Sequence, residues 1–202
     1  MSYFPMFVDL TGRKCLVAGG GRIALRKAQV LREFGAGLTV VAPRVIWEIR
    51  QMEDVVCLER RFAPQDLDGQ ELVVAATDDR EENHRIAELC RMAGIPVNAV
   101  DQPEDCDFIF PAWLKQGEVV AAFSSGGRSP VLAQYLKEKI SPVLTPLLGE
   151  LADCLGGLRE RVGQCVKESE RKKVYQEILS RTLKEGKLPM EEEIEEIIRR
   201  HT

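Results

Sequence analysis

Three consecutive glycines stand between one short apolar run and the start of an amphipathic one, and they constrain this fold more than any other feature. Lys14 to Ala18 reads KCLVA, a buried strand, and Gly19-Gly20-Gly21-Arg22-Ile23-Ala24 follows it. Apolar residues then recur at Ile23, Ala24, Ala28, Val30, Leu31 and Phe34, the spacing of a helix with one buried face. Placed between a strand and a helix, the spacing GxGxxA is the accepted variant of the dinucleotide fingerprint. Gly19 permits the turn, Gly21 lets a pyrophosphate approach the backbone, and the small Ala24 lets helix and strand pack closely. The helix N-terminus adds unpaired N–H groups and the positive end of its dipole. Gly35 and Gly37 are expected to stop the helix, and Leu38 to Pro43 reads as a second strand in a right-handed βαβ unit.

The alternation continues. A short helix is expected around Val45 to Met52, strands near Val55 to Glu59 and Glu71 to Thr77, a helix from Glu81 to Met92 ended by Gly94, and a strand from Ile95 to Asp101. Strands spaced by helices imply an open parallel α/β sheet. After Pro111 the pattern changes to one strand, Glu118 to Ser125, a GGRSP turn and a helix from Val131 to Ile140. From Pro142 onward the leucines at 144, 147, 148, 151, 155 and 158 keep helical spacing and no strand is read. The expected fold class is therefore α/β: a Rossmann-type parallel sheet over residues 1–112, a small α/β region over 113–141, and a helical domain over 142–202.

Composition narrows the function classes. At 202 residues, 45% hydrophobic and 30% charged, the chain can bury a proper core. A net charge of -4 argues against a general nucleic-acid binder. The N-terminus lacks the basic and apolar stretches of a signal peptide, and no apolar run approaches the ~20 residues of a membrane span, so a soluble cytoplasmic protein is expected. Six cysteines without a CxxC pair and only two histidines, His84 and His201, offer neither a disulfide framework nor a metal site. Cys15, Cys57 and Cys90 read as buried free thiols. His84, on a charged helix, reads as a surface residue.

Candidate site residues lie where parallel strands end, since ligands bind beyond their carboxyl ends. The second strand ends in Pro43-Arg44 rather than in the acidic residue that grips a ribose 2'-hydroxyl. Arg44 either meets a 2'-phosphate or merely begins the next helix. Thr77 and Asn98 face the expected crevice, and Asp101 is the best-placed ionisable group, as general base or as a cap on the following turn. Ser124-Ser125-Gly126-Gly127-Arg128 forms a second small-residue loop. It is an anion pocket, or an N-cap on Ser129 ahead of Pro130, and the two are compatible.

The runs PMFVDLTGRKCLVAGGGRIALRKA, VVAATDD, VNAVDQPEDCDFIFPA and SSGGRSPVLAQYLKEKI, between Pro5 and Ile140, together resemble the precorrin-2 dehydrogenase family, the dehydrogenase module of siroheme synthases. The resemblance implies an NAD-dependent oxidation of precorrin-2 to sirohydrochlorin and an intertwined homodimer. It places cofactor contacts on Arg22, Ile23, Pro43 and Arg44, the important aspartate at Asp101, and Ser125 in the tetrapyrrole pocket. Because relatives without an acidic residue after the second strand use NAD, it moves Arg44 away from NADP. Some members also insert Fe2+ into sirohydrochlorin. Arg128, Lys137 and Lys139 are expected as a basic rim for the polycarboxylate macrocycle. The rival reading is an NAD(H)-sensing regulatory module without tetrapyrrole chemistry.

Overall fold

The computed structural model describes residues 3–202, in two compact units, one running to Phe110 and the other from Pro111 to Thr202. The first unit holds β1 (Lys14–Ala18), α1 (Arg22–Glu33), β2 (Gly37–Val41), α2 (Trp47–Arg50), β3 (Val55–Leu58), β4 (Leu72–Ala75), α3 (Arg80–Ala93) and β5 (Val97–Ala99). Its five strands are all parallel, in the order β3-β2-β1-β4-β5. The order reverses between β1 and β4, the point at which a doubly wound sheet leaves a crevice for a ligand.

Burial on both faces explains the composition of the strands. Val17, Val40 and Val74 point into one apolar layer with Ala24, Ala28 and Leu31 of α1. Leu16, Val73, Ala75 and Val97 point into the other, with Ile86, Ala87 and Cys90 of α3. A sheet covered on both sides reads as continuous apolar runs rather than alternation. Cys15 and Cys90 are inside these layers, and burial pushes their thiols up to about 11 and about 12. Cys57 is half-buried, outside the fully enclosed layer in which it was expected.

The helix stops differ in detail from the sequence reading. Gly35 (φ 77) follows the end of α1, but Gly37 belongs to β2, paired with Lys14. Gly94 (φ 69) closes α3 in the left-handed conformation expected of a C-terminal glycine. Asp79 opens that helix, its carboxylate accepting from the N–H groups of Glu81 and Glu82.

The second unit begins with β6 (Ala112–Gln116) and β7 (Val119–Phe123), an antiparallel pair whose first strand the sequence reading missed. Gly117 and Glu118 join them, and Gly117 sits at φ 56, as the first position of a two-residue hairpin loop of this kind requires. α4 (Pro130–Ile140) follows, then α5 (Pro146–Gly157), α6 (Arg159–Cys165), α7 (Glu168–Glu185) and α8 (Glu191–Arg200). Leu151, Leu158, Val162, Val174, Ile178, Ile194 and Ile197 form the core of the last four helices. The stretches expected as a small α/β region and as a helical domain thus share one compact unit. Among the described residues no helix is long and apolar enough to cross a membrane.

Candidate functional site

The glycine turn is shaped by what crowds it. Gly19 leaves β1 at φ +136, and a Cβ there would lie 2.1 Å from the Ala76 carbonyl oxygen. A Cβ on Gly20 would lie 2.1 Å from the Arg44 carbonyl oxygen and 2.9 Å from the Ala42 Cβ. The loop after β2 is stapled to this turn, since the Gly19 N–H donates to Val41 at 2.9 Å and the Ile46 N–H to Gly20 at 2.9 Å. Gly21 is the exception: its φ of -96° suits any residue and a Cβ would meet nothing within 4 Å.

That open space faces the start of α1. Gly21 caps the helix without a side-chain hydrogen bond, and the first turn carries no acidic residue. The first N–H groups of any α-helix lack intrahelical acceptors. Open approach, free donors and an uncompensated positive dipole end make this a phosphate cradle, and the residues present fit the pyrophosphate of a dinucleotide. Ala24 is fully buried beneath it, and Arg22 and Ile23 are exposed at its lip. Pro43 and Arg44 are exposed just past β2.

Beyond β4, Thr77 is absorbed by local architecture. Its hydroxyl lies 2.7 Å from Asn83 Oδ1 and 2.9 Å from the Asp79 carbonyl oxygen, and its N–H donates to Asn83 Oδ1 at 3.0 Å. Asn98 is likewise committed. It is buried in β5, and its Nδ2 donates to the Phe108 carbonyl at 2.8 Å, tying the segment after β5 back against the strand. Asp107 adds a second tie by accepting from the Val97 N–H at 3.0 Å. Both residues border the crevice, but their polar groups hold the loops that form it.

Asp101 differs. It stands exposed just beyond β5 at φ 58, a left-handed conformation uncommon for a residue with a side chain. Its carboxylate accepts no hydrogen bond among the described residues, and it does not cap the turn over Pro103–Asp105, which begins at Gln102 without a side-chain cap. The strain at this position is held in place by the next few residues. Gln102 and Asp105 are buried, and Asp105 accepts from His84 Nδ1 at 2.8 Å, from Arg91 at 2.9 Å and from Gln102 Nε2 at 3.1 Å. Burial works against the Asp105 charge, yet the hydrogen bonds from His84 and Arg91 outweigh it and hold the carboxyl below its usual range. The bond to Asp105 raises His84. His84 is thus on the surface, as expected, but it is also a strut of the Asp101 loop.

Opposite that loop on α1 lies a residue the sequence reading passed over. Lys27 is half-buried, with its Nζ 3.7 Å from the centroid of the Phe110 ring. Burial pushes its ammonium down to about 8, offset in part by Cys106 and Asp101. Only its position in helical register, three residues after Ala24 on the apolar side, could have singled it out.

In the second unit the loop after β7 is closed by its own hydroxyls. Ser125 Oγ donates to the Ser129 carbonyl at 3.0 Å and accepts from the Ser129 N–H at 2.8 Å, while Ser124 Oγ accepts from Gly126 N–H at 3.0 Å. Gly126 (φ 64) and Gly127 (φ 80) turn the chain, and a Cβ on either would meet nothing within 4 Å. Arg128 is exposed. Ser129 caps α4 through the Leu132 N–H with Pro130 in the first turn. Lys137 and Lys139 lie in the last turn of α4, over the rings of Trp113 and Tyr135. They are therefore seven and nine residues beyond Pro130, about 10 and 14 Å of helix from the Arg128 loop. Among the described residues no cluster of His, Cys, Asp and Glu could hold a metal ion.

Comparison with known proteins agrees with this geometry. The family described as "Putative NAD(P)-binding" matches residues 6–112. A "Siroheme synthase" from Ectopseudomonas mendocina (strain ymp) is 42% identical over 179 residues, 88% of this chain and 38% of that one. Another, from Photorhabdus laumondii subsp. laumondii, is 44% identical over 167 residues, 81% of this chain and 36% of that one. The chain thus spans less than two-fifths of the length of these relatives. The solved structure of "SirC, precorrin-2 dehydrogenase" superposes with a TM-score of 0.70 at 25% identity, covering 98% of both chains. The chain belongs to the putative NAD(P)-binding family, and its likeness to a precorrin-2 dehydrogenase extends over almost its whole length.

Proposed function

We propose that this protein oxidises precorrin-2 to sirohydrochlorin with NAD as acceptor. The observation that carries the reading is the extent of the likeness to a precorrin-2 dehydrogenase, which runs through both compact units. A nucleotide sensor would need only the first.

When bound, the nicotinamide supplies the redox chemistry by accepting a hydride from the macrocycle. The chain's own groups do the rest. The N–H groups at the start of α1, from Arg22 onward, hold the pyrophosphate over Gly21. Gly19 and Gly20 let the loops after β4 and β2 close on the turn. Pro43 and Arg44 would border the adenosine end, and the preference for NAD there rests on the resemblance to relatives that use NAD without an acidic residue after the second strand. Asp101, unencumbered by hydrogen bonds, takes the proton that leaves as the hydride departs, so that two electrons and two hydrogens are accounted for. Arg128, exposed on the loop from Ser124 to Ser129 that its own hydroxyls close, offers a guanidinium to a carboxylate of the substrate.

The working form is proposed to be a homodimer through α4. Val131, Leu132 and Tyr135 are 80%, 50% and 51% exposed along one side of that helix, an apolar stripe that a second copy of the chain would cover. The decisive experiment is anaerobic incubation with precorrin-2 and NAD, followed at the absorption of sirohydrochlorin. Appearance of the product with stoichiometric NADH is expected; NADH binding without any turnover would return the sensor reading. Product formation with NADP but not with NAD would reverse the cofactor preference alone.

A further inference from the structure

We propose that Lys27 is a receptor for one carboxylate of the tetrapyrrole, with the Phe110 ring as the back wall of its socket. The inference rests on the tetrapyrrole reading above and concerns a residue outside the dinucleotide fingerprint. Lys27 sits at the sixth position of α1, roughly 9 Å along the axis from Gly21, and so beyond the phosphate cradle. Its ammonium is held instead toward the exit of β5 by the ring of Phe110, at 3.7 Å from the centroid. That wall is itself fixed. Phe108 packs on Phe110 with ring centroids 5.6 Å apart, and Asn98 grips the Phe108 carbonyl at 2.8 Å.

What the ammonium lacks is an acceptor. Among the described residues it makes no hydrogen bond and no ion pair within 4.0 Å, and the charged or titratable groups whose fields reach it are Asp101 and Cys106. The Cys106 thiol is pushed up by burial and donates to the carbonyls of Ala99 and Gln102, so it offers no stable anion. A lysine stem long enough to carry its head into water is here folded against an aromatic face, where part of its hydration is lost. Packing on Phe110 alone would be served as well by methionine or leucine. Three unfilled N–H donors bearing a positive charge, at the carboxyl end of the strand that presents Asp101, form a site for an anionic oxygen. The tetrapyrrole is a polycarboxylate, and a carboxylate seated on Lys27 would place the adjoining ring edge near the proton-accepting Asp101.

Sirohydrochlorin binding to the cofactor-free protein tests this, by titration of its absorption at pH 7 and pH 9 with wild type, Lys27→Met and Lys27→Arg, beside NADH titrations of each. Loss of a hydrogen bond to a charged group predicts sirohydrochlorin affinity roughly 10- to 100-fold weaker in Lys27→Met, with NADH affinity unchanged. Wild-type affinity should fall between the two pH values, because the ammonium titrates at about 8. Lys27→Arg, charged throughout, should lose that fall. The proposal is overturned if Lys27→Met binds sirohydrochlorin like wild type, if it loses NADH instead, or if the fall persists in Lys27→Arg. The last comparison decides the matter even where Lys27→Met fails to fold. A wild type that binds no sirohydrochlorin at either pH fails the tetrapyrrole reading itself, whereas tight binding indifferent to residue 27 fails only the socket.

Discussion

Adjacent glycines in the turn after β1 should respond to the same substitution in opposite ways. In Gly20→Ala the new methyl would lie 2.1 Å from the Arg44 carbonyl oxygen, 2.9 Å from the Ala42 Cβ and 2.9 Å from the Val45 Cα. None of these is the free end of a flexible side chain, and Ala42 and Val45 are 5% and 4% exposed, so neither can move without displacing the core above β2. Overpacking of a core ordinarily costs ~1–3 kcal/mol, and rigid neighbours on three sides put this case at the upper end, ~3 kcal/mol. For a chain of this size that corresponds to a midpoint lower by roughly 6–12 °C.

In Gly21→Ala the same methyl enters open space at an ordinary backbone angle. Stability should hold within ~1 kcal/mol, since the freedom lost by the unfolded chain is offset by alanine's poorer fit as the N-cap of α1. Cofactor binding should not survive so well, because the methyl occupies the approach to the N–H groups of α1. A tenfold or larger rise in the Kd for NADH, at least ~1.4 kcal/mol, is expected. Thermal unfolding and NADH fluorescence titration of both variants measure the contrast directly. Full NADH affinity in Gly21→Ala refutes the phosphate cradle, and wild-type stability in Gly20→Ala refutes the crowding argument.

Asp101→Asn keeps a residue tolerant of φ 58 while removing the base, so precorrin-2 turnover should fall by ~10²–10⁴ with NADH affinity and melting unchanged; retained turnover removes the assignment. Asn98→Ala leaves the Phe108 carbonyl without its donor and should cost ~1–3 kcal/mol in denaturant unfolding, a loss absent if that carbonyl finds water instead. His84 is raised above 6.5, so its contribution to stability is full below that pH and is lost as pH rises through the folded value. Asp105 is lowered below 3.8, so its contribution is full above that pH and is lost only as pH falls through its folded value. Urea midpoints should therefore decline above pH 6.5 in wild type and stay flatter in His84→Ala. Placing aspartate at both Val131 and Tyr135 should convert a dimer into monomers in sedimentation, and a wild type already monomeric removes the dimer.

The first unit was legible because its signals are local. KCLVA ends where the strand ends, and the glycine spacing could be tied to a turn because a strand and a helix flank it. β6 was not legible: AWLKQ is half-buried at every position, so it shows neither a continuous apolar run nor clean alternation. Only Gly117-Glu118 between it and VVAAF signalled a hairpin. At the site, strand ends located the right residues but could not tell which were free. Thr77 and Asp101 close strands in the sequence reading and Asn98 stands within the second of them; tertiary partners consume Thr77 and Asn98 and leave Asp101.

That difference orders the site by what each group is already doing. A side chain whose polar atoms are satisfied within the fold, such as Asn98 on Phe108 or Asp105 between His84 and Arg91, sets the position of something else. A side chain held in a costly state without a partner is where the fold has reserved capacity for a ligand. By that criterion three features of the first unit remain open together: the uncovered face of Gly21, the left-handed and unbonded Asp101, and the Lys27 ammonium on Phe110. They carry different chemistry, a set of N–H donors for phosphate, a base, and a cation for carboxylate. A dinucleotide alone would fill the first and leave the other two idle. A dinucleotide paired with a hydride donor that also loses a proton and bears carboxylates uses all three, which is why the Asp101 and Lys27 variants should spare NADH binding while Gly21→Ala weakens it.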